Sequence, residues 1–586
     1  MRHGLPTYIP RAAALLSVLC WCWILRNTDS YYSVYLLTAA AGLLCRYCGH
    51  HRQGLDPQAL PKGSRWLTRL FALGFSGIVY LANGPLFDPV TGTIRPATPW
   101  LFLLALVLLL GGYVIFREIL RFLALSAQKP APAFSQTVPG SGLWVVSSVW
   151  ILLAAVYALV LYLGYYPGVL TYDSIHQLSQ VLGILPFSNH HPYYYTRFIG
   201  LIYQIGMALF GSPDAAAACY SLLSILAMAG IFAYSVFTLY EATGSRRLSL
   251  ALFLFYLLMP CHILYSFAMW KDVFFAAAVT GFVISAFRSL QSIGAHPRAN
   301  RTGVVIFAFL MCLLRSNGLF AFVLSLAVFL LLFRRSEKAL SIALCATAGL
   351  AWILTGPVMN ALDIPQPRIT ESLSIPLQQV AQVVKDDCPL TPEQTALLEA
   401  AVDLDAVKSD FLPYISDPVK TLVNSDAFQG REAEYIKLYL QLGASYPLKY
   451  IQAWINQTKG YWNGGYGYWR FPAPYPNDLG ISIDPPVPAA KDAFVAYERL
   501  FENTALLQPL LSIGLFVWLI LLCGFVFLQR ADKAGFFLTV PLLAVIASLV
   551  IATPVFSEFR YSYSIFCCGP FVFGLTFYRL WGKEQK

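Results

Sequence analysis

Long apolar runs separated by short polar segments are the feature that most constrains the fold of this 586-residue chain. A run of roughly 20 apolar residues has the length that a helix needs to cross a bilayer. Hydrophobic residues make up 58% of the chain and charged residues only 12%, whereas about a quarter of the residues in soluble domains are charged. The sequence therefore excludes a single water-soluble domain and predicts an all-α polytopic membrane protein with about 14 spans. The candidate spans are 12–26, 31–46, 66–84, 99–116, 143–165, 214–240, 247–269, 273–289, 303–317, 318–333, 339–356, 506–528, 534–552 and 562–581.

Lysine and arginine collect in alternate loops, and this asymmetry predicts the orientation of the spans. Cytoplasmic loops of membrane proteins carry an excess of these residues. The basic segments are 45–65, 117–142, 241–247, 288–302, 334–338, 529–533 and the C-terminal tail. Placing all of them in the cytoplasm puts both termini there and requires Tyr193–Phe210 to be an interfacial helix. Membrane topology thus accounts for the net charge of +10, and we expect no nucleic-acid partner.

One long hydrophilic insert interrupts the apolar pattern. Residues 357–505 contain 11 basic and 18 acidic residues, a net charge of −7, whereas the rest of the chain has a net charge of +17. This contrast predicts a soluble, mainly helical insert on the extracytoplasmic side. The predicted units are a four-span N-terminal extension (1–142), a membrane core with an outer catalytic loop at 166–192 (143–356), the insert (357–505) and a three-span C-terminal segment (506–586).

Two acidic residues stand at predicted outer ends of spans. Asp173 lies in a loop free of lysine and arginine, and Asp272 follows Lys271 at the tip that joins two spans. An ionisable group at a membrane boundary is a candidate functional residue. Each has a structural alternative, because Thr171 or Asp173 is suited to cap the helix that follows. Asp272 is likewise suited to cap the next span or to pair with Lys271.

In residues 143–335, Asp173 opens an amphipathic helix, a His-His-Pro motif at 190–192 opens the interfacial helix, and a Lys-Asp pair at 271–272 follows the next two spans. This order of elements resembles the membrane glycosyltransferases of the GT-C fold, such as the protein O-mannosyltransferases and the aminoarabinose transferases. At these points the family carries Asp-Glu, His-Pro-Pro and a second outer acidic residue. Ser174 departs from the family, because it replaces the second carboxylate. The insert is similar to an uncharacterised bacterial family of GT-C-like membrane proteins, which implies a bacterial cell membrane.

The resemblance implies an inverting transfer of a sugar from a polyprenyl-phosphate donor to a glycan, lipid or protein acceptor at the outer membrane face, in cell-envelope glycan assembly. Such a reaction needs a base for the acceptor hydroxyl and positive charge for the departing phosphate, and Asp173 is the candidate base. The candidate residues are Asp173 and Asp272 for catalysis, Arg315, Lys271, Arg560 and Arg197 for the donor phosphate, and Tyr172, His176, His190, His191 and Glu558 for the substrate pocket.

Several of these assignments have alternatives. Arg315 interrupts an apolar run at a turn, where snorkelling to the surface would explain it, and Arg560 is able to pair with Glu558 instead of a phosphate. The resemblance leaves open a divalent cation, Mg²⁺ or Mn²⁺, with Asp173 and His191 as ligands. Two other functions compete: a lipid or solute transporter, including a flippase, and a non-catalytic assembly protein on a GT-C-like fold.

Overall fold

The computed structural model describes residues 60–582, except for 85, 89–90, 97, 135–141, 465–468 and 505. Within this part of the chain the regular structure is helical apart from a hairpin of two-residue strands, β1 (Phe87–Asp88) and β2 (Thr93–Ile94). The all-α prediction is therefore confirmed. The predicted spans 12–26 and 31–46 lie outside the described residues.

The helices fall into a membrane region and an insert. The membrane region contains α1 (Lys62–Asn83), α2 (Pro99–Ala127), α3 (Gly142–Val160, continued by a π-helical turn at Leu161–Tyr165), α4 (Tyr172–Val181), α5 (Tyr193–Phe210), α6 (Pro213–Thr243), α7 (Arg246–Leu258), α8 (Pro260–Ser266), α9 (Lys271–Leu290), α10 (Pro297–Leu314), α11 (Gly318–Phe333) and α12 (Lys338–Thr355). The insert contains α13 (Pro357–Ala361), α14 (Ile369–Ser372), α15 (Ser374–Lys385), α16 (Pro392–Glu399), α17 (Leu404–Asp410), α18 (Asp417–Leu422), α19 (Glu432–Ser445), α20 (Pro447–Trp462) and α21 (Pro488–Asn503). The chain then returns to the membrane region with α22 (Ile513–Gln529), α23 (Lys533–Ile551) and α24 (Tyr563–Trp581).

Eight helical segments of the described chain are long and apolar enough to cross a membrane. The number is nine if α7 and α8, which meet at an angle of 60°, count as one broken span. Each span predicted from residue 66 onward lies on a helix or, for 247–269, on two. Helices α11 and α22 are shorter apolar helices, and α1, which corresponds to the predicted span 66–84, is not among the eight. The chain is thus an all-α integral membrane protein. The predicted interfacial helix, α5, is not among the eight.

Local capping chemistry explains where several of these helices begin. The side chains of Thr98, Ser212, Ser245 and Ser512 each accept a hydrogen bond from the backbone N–H three residues later. Such caps satisfy N–H groups that have no partner within the helix, and in a membrane an unsatisfied N–H is especially costly. Proline follows the cap in α2 and α6, at a position where its missing N–H removes no helical bond.

The centre of the bundle is α9, which is the most deeply buried of the candidate spans. It contacts α6, α10, α23 and α24. Small residues line its contact with α10, where a side chain on Gly281 would overlap the ring of Phe307. Small residues let membrane helices approach closely, and this explains how α9 becomes enclosed by four neighbours.

The bundle has two chemically different ends. Spans α9 to α12 and α22 to α24 are joined by short loops and therefore alternate in direction. The end that we call the cluster pole is marked by Lys271, Arg315 and Arg560 at the ends of α9, α10 and α24. The opposite end, called the basic pole, is marked by Arg288, Arg334, Arg530 and Arg579. Ion pairs between Arg301 and Glu337 (3.0 Å) and between Arg579 and Asp532 (3.5 Å) join helix ends at the basic pole.

The insert has a hydrophobic core of its own and is attached at the cluster pole. Val383, Leu398, Val407 and Leu442 are among its buried residues. Helix α20 leaves this core and packs on α22 and α23, and α21 packs against the π-helical turn after α3. The insert therefore stands directly beside the residues that mark the cluster pole.

Candidate functional site

A short parallel bridge brings the loop before α4 next to the start of α9. The backbone N–H of Val169 donates to Phe267 (3.1 Å), and the N–H of Met269 donates to Val169 (3.0 Å). The hydroxyl of Ser174 accepts the N–H of Thr171 at 3.0 Å and donates to the Met269 carbonyl at 2.8 Å. Thr171 and Ser174 thus form the cap of α4, and Asp173 is left free to project from its first turn.

Asp173 lies between two cations that are distant in sequence. Its Oδ2 atom is 2.9 Å from Nη1 of Arg560 and 3.4 Å from Nζ of Lys271. Burial by itself would raise the pKa of the Asp173 carboxyl, but Lys271 and Arg560 outweigh it and hold that pKa well below its usual range. The carboxyl is therefore ionised in this structure, and the capping role that the sequence left open for Asp173 belongs to Thr171.

Asp272 forms a second, more deeply buried ion pair. It is 1% exposed and pairs with Nη1 of Arg315, whose side chain is 7% exposed. The other carboxylate oxygen of Asp272 is buried without a hydrogen-bond partner among the described residues. Two alternatives from the sequence are thereby corrected: Asp272 does not pair with its neighbour Lys271, and Arg315 does not snorkel to the surface. Successive side chains of a helix point in different directions, so Lys271 and Asp272 reach different partners.

We call Asp173, Lys271, Asp272, Arg315 and Arg560 the cluster. Aromatic rings hold its two arginines in place. The guanidinium of Arg315 lies 4.6 Å from the ring centroid of Tyr561, and that of Arg560 lies 5.0 Å from the same ring and 5.1 Å from the ring of Trp270. Such cation–π contacts orient a guanidinium without neutralising its charge. Trp270 is fixed in turn, because its indole N–H donates to the Thr171 hydroxyl at 2.6 Å.

Glu558 supplies a further carboxylate on the far side of Arg560. Its Oε1 atom lies 2.6 Å from Nε of Arg560, which is the pairing that the sequence left open. Burial raises the pKa of Glu558, in opposition to the effect of Arg560. Arg560 thus bridges Glu558 and Asp173. The GT-C transferases that the sequence resembles carry a second carboxylate where this chain has Ser174. Here Glu558 brings another carboxylate to Arg560.

Three histidines adjoin the cluster beside Lys271. The rings of His190 and His191 are 4.7 Å apart, and those of His176 and His191 are 5.3 Å apart. Lys271 donates from Nζ to Nδ1 of His191 at 3.1 Å. Burial, followed by the charge of Lys271, lowers the pKa of His191 to about 2, and burial also lowers the pKa values of His176 and His190.

The residues present do not fit the predicted divalent-cation site. The ammonium of Lys271 contacts both Asp173 and His191, so it takes the place that a metal ion between them would need. Across the described ranges, no group of three His, Cys, Asp or Glu side chains is arranged to hold a metal ion. The Mg²⁺ or Mn²⁺ that the resemblance leaves open therefore finds no such group among the described residues.

Two predicted residues lie at the margin of the cluster. Arg197 is exposed, and its guanidinium lies over the ring of Phe187 at 5.4 Å; no ion pair joins it to the carboxylates of the cluster within the described chain. Tyr172 is 63% exposed and contacts Tyr475 edge to face, with ring centroids 5.6 Å apart. Within the described chain, Arg197 therefore makes no ion pair with these carboxylates, and Tyr172 directly precedes Asp173 at the start of α4.

Sequence reasoning missed Trp270 and Tyr561, although both hold the cations in place. Each directly adjoins a predicted residue, since Trp270 precedes Lys271 and Tyr561 follows Arg560. An aromatic residue next to a cation at a span end is the signal that would have found them, but interfacial anchoring explains the same pattern in most membrane proteins.

Comparisons with known proteins identify a family but no activity. No curated protein and no solved structure matches the chain. Residues 185–585 match a family described as "Family of unknown function (DUF6020)". The match covers α5, the insert and the spans that carry Lys271, Asp272, Arg315 and Arg560, and it begins after Asp173. Because it covers more than half of the sequence, the chain belongs to this DUF6020 family.

Proposed function

We propose that this protein is a membrane glycosyltransferase of the GT-C type, which moves a sugar from a polyprenyl-phosphate donor to an acceptor at the outer face of the membrane. The observation that carries the proposal is the convergence of Asp173, Lys271, Asp272, Arg315 and Arg560 at one end of the bundle. These five residues come from four distant parts of the chain, since only Lys271 and Asp272 are adjacent. The proposal keeps the predicted total of about 14 spans, of which 12–26 and 31–46 lie outside the described residues.

The arrangement of cations in the cluster suits an anionic ligand. Lys271, Arg315 and Arg560 are paired with Asp173, Asp272 and Glu558 in the resting protein. Lys271 and Arg560 converge on the same oxygen of Asp173. A phosphate that enters there meets two donors already directed at one acceptor, and guanidinium groups bind phosphate oxygens in a bidentate manner.

Binding of the donor phosphate also prepares Asp173 as the base. In the resting cluster Lys271 and Arg560 lower the pKa of Asp173, which makes it a weak proton acceptor. A phosphate that draws these cations away removes that effect and adds a nearby negative charge, so the pKa of Asp173 rises. The base therefore becomes effective only when a donor is present.

The reaction is a displacement at the anomeric carbon. The acceptor hydroxyl oxygen forms a bond to that carbon, and its proton passes to Asp173. The bond between the anomeric carbon and the phosphate oxygen breaks, and its electron pair stays on the phosphate. Lys271 and Arg560 stabilise the charge that develops on the leaving group, and inversion at the carbon follows from the single displacement.

An exposed aromatic pair offers a platform for the acceptor or the transferred sugar. Tyr172 and Tyr475 are 63% and 53% exposed and contact each other, and Tyr172 directly precedes Asp173 in the chain. The backbone N–H of Tyr475 donates to the Leu170 carbonyl at 2.9 Å, which fixes the insert segment against the loop before α4. Sugar rings present apolar faces that pack on aromatic side chains, and this pair lies next to the base.

The orientation of the cluster pole follows from the distribution of basic residues. Arg288, Arg334, Arg530 and Arg579 lie at the opposite pole, and the positive-inside rule assigns that pole to the cytoplasm. The cluster and the insert then face outward, where a lipid-linked donor delivers its sugar. Both termini lie inside in this arrangement.

The test is a glycan profile of cells that carry Asp173→Asn in place of the wild-type chain. The expected result is loss of one envelope glycan at normal protein abundance, because the base is removed while the volume of the side chain is retained. The matched control is Glu337→Gln. Glu337 is a paired carboxylate with the same 19% side-chain exposure as Asp173, but it lies at the basic pole. An unchanged profile in Asp173→Asn would refute the proposal.

A transporter or flippase is the second candidate, and the break between α7 and α8 favours it. These helices meet at 60°, and His262 in α8 is fully buried. Broken helices with buried polar residues line the substrate sites of many transporters. Proteoliposomes distinguish the two functions. If polyprenyl-phosphate lipids cross the membrane at the same rate in Asp173→Asn as in the wild type, the result favours a flippase.

A non-catalytic assembly protein is the third candidate. Donor binding without any turnover favours it.

A further inference from the structure

The insert encloses an apolar cavity that the proposed catalytic cluster does not use. It has a volume of about 360 Å³ and lies between α15, α16, α17, α18 and α19. Valine, leucine, isoleucine and alanine supply most of its lining, and Glu432 is the one charged residue among the described residues that line it. Protein interiors contain few voids larger than a water molecule. Apolar cavities remain dry and bind apolar molecules.

The shape of the cavity suits a single hydrocarbon chain. Its lining follows one face of α15 from Leu373 through Leu377, Val380 and Ala381 to Val384. Eleven steps of a helix span about 16 Å at a rise of about 1.5 Å per residue. An apolar lining of this length around a volume of about 360 Å³ accommodates one extended hydrocarbon chain.

The cavity adjoins the membrane end of the bundle. Val419 lines it, and two neighbouring residues on the same segment contact the loop between α23 and α24. Lys420 donates to the Pro554 carbonyl at 2.9 Å, and the Ser416 hydroxyl donates to the Val555 carbonyl at 2.9 Å. A lipid chain that leaves the bilayer beside this loop therefore reaches the cavity over a short distance.

The exposed residues of the lining indicate where the cavity opens and which chains it accepts. Ile369 and Ile436 line it but are 44% and 59% exposed, so apolar side chains border its mouth. Glu432, which is also exposed, places a carboxylate there. That charge repels the carboxylate of a free fatty acid, whereas a chain whose polar group stays in the membrane interface is unaffected.

We propose that the insert is a lipid-binding unit whose cavity takes one hydrocarbon chain of a membrane lipid. The proposal does not rest on sugar transfer, since occupancy of the cavity is measured by cross-linking alone. The site is distinct from the cluster of Asp173 and Arg560, which would bind a phosphate.

The test uses the full chain in nanodiscs of phosphatidylethanolamine and phosphatidylglycerol. These discs contain a phospholipid with a diazirine at the end of one acyl chain, and the sites of photolabelling are mapped by peptide mass spectrometry. Labels are expected on α15 and α19. Ala381→Phe and Ala401→Phe fill the cavity from two different elements and should each reduce the labelling roughly tenfold, as expected from about 1.4 kcal/mol of lost binding.

Ala396→Phe is the matched control, because Ala396 is a residue of α16 that does not line the cavity. It should keep the wild-type labelling. A fatty acid with the same diazirine should label the insert weakly. The proposal is overturned if labels occur only on the spans, if both filled variants keep full labelling, or if the fatty acid labels as strongly as the phospholipid. Should both filled variants unfold, the map of the wild-type chain decides.

Discussion

At the scale of single residues, the two predicted catalytic carboxylates have different surroundings. Asp173 is partly exposed and shared between Lys271 and Arg560, whereas Asp272 is almost fully buried and paired with Arg315. An ion pair that retains access to solvent contributes little to stability, but breaking a buried pair leaves an uncompensated charge. Asp173 is therefore available as the proposed base, whereas the main role of Asp272 is to hold Arg315 in place.

This difference predicts that Asp272→Asn destabilises the protein more than Asp173→Asn does. Removal of one partner from a buried pair costs about 3–5 kcal/mol, and the change is measured as the free energy of unfolding by denaturant in detergent. Combining Asp272→Asn with Arg315→Met should restore part of the loss, because no buried charge then remains. Equal stabilities for Asp272→Asn and the wild type would show that the pair contributes nothing.

His191 predicts a loss of stability in mild acid. A histidine in the unfolded chain titrates near pH 6.5, whereas the pKa of folded His191 is about 2. Below pH 6.5 the unfolded state therefore binds the extra proton, and stability falls by up to about 1.4 kcal/mol per pH unit. The contribution of neutral His191 to the free energy of unfolding is fully present above pH 6.5 and is lost progressively as the pH falls toward 2.

The measurement compares the wild type with His191→Gln between pH 7 and pH 5. The glutamine carbonyl can still accept a hydrogen bond from Lys271, but the side chain takes up no proton, so the variant should show a shallower pH dependence of its unfolding free energy. His296→Gln removes an exposed histidine at the basic pole and should keep the wild-type slope. Identical slopes for all three proteins would contradict the buried, neutral state of His191.

At the scale of elements, the turn between α10 and α11 positions Arg315. The N–H of Gly318 donates to the Arg315 carbonyl at 2.9 Å. A Cβ atom on Gly318 would overlap the carbonyl oxygen of Met311. In the sequence this turn is visible only as a break in an apolar run. The close approach of the two backbone segments explains why the break requires a glycine at this position.

Gly318→Ala is therefore expected to displace Arg315 and to destabilise the protein by roughly 1–3 kcal/mol. Gly349→Ala is its control, because Gly349 lies in the interior of α12 and an added methyl group there would meet open space. That substitution should stabilise the helix by about 0.5–1 kcal/mol. Thermal unfolding in detergent reads out both changes, and an unaltered melting temperature in Gly318→Ala would show that the turn tolerates a side chain.

Helix positions were predictable because an apolar run marks each span and a basic loop marks one of its ends. Partners within the cluster were harder to predict, as Lys271 and Asp272 illustrate, because adjacent residues in a helix diverge and the partners come from other helices.

The bend between α7 and α8 was not predicted, since residues 247–269 were assigned to one span. Pro260 begins a new helix there, and its effect is hidden within a continuous apolar run. The cavity of the insert depends on five helices, so no local pattern indicates it.

At the scale of the whole molecule, the two poles separate chemistry from anchoring. The cluster and the insert share one pole, and the basic loops occupy the other. A membrane between them would keep a lipid-linked donor and the catalytic residues on one side. The distribution of arginine and lysine therefore predicts the orientation of the protein and the compartment of the proposed reaction.

Cysteine accessibility tests this orientation. A variant whose only cysteine is Cys388, a partly exposed residue of the insert, should react with a membrane-impermeant maleimide on intact cells. In the same background, Cys388→Ser combined with Ser336→Cys moves the thiol to the basic pole. That protein should react only after permeabilisation. The reverse pattern would invert the topology and place the cluster in the cytoplasm.

The most direct test of the central claim is turnover of sugar donors by the purified protein. The wild-type chain in proteoliposomes receives a panel of polyprenyl-phosphate monosaccharides together with a membrane extract as the acceptor source, and release of polyprenyl phosphate is followed. The account predicts release from one donor and a fall of at least about 10²-fold in Asp173→Asn, with Glu337→Gln unaffected. Release at the wild-type rate by Asp173→Asn would contradict it.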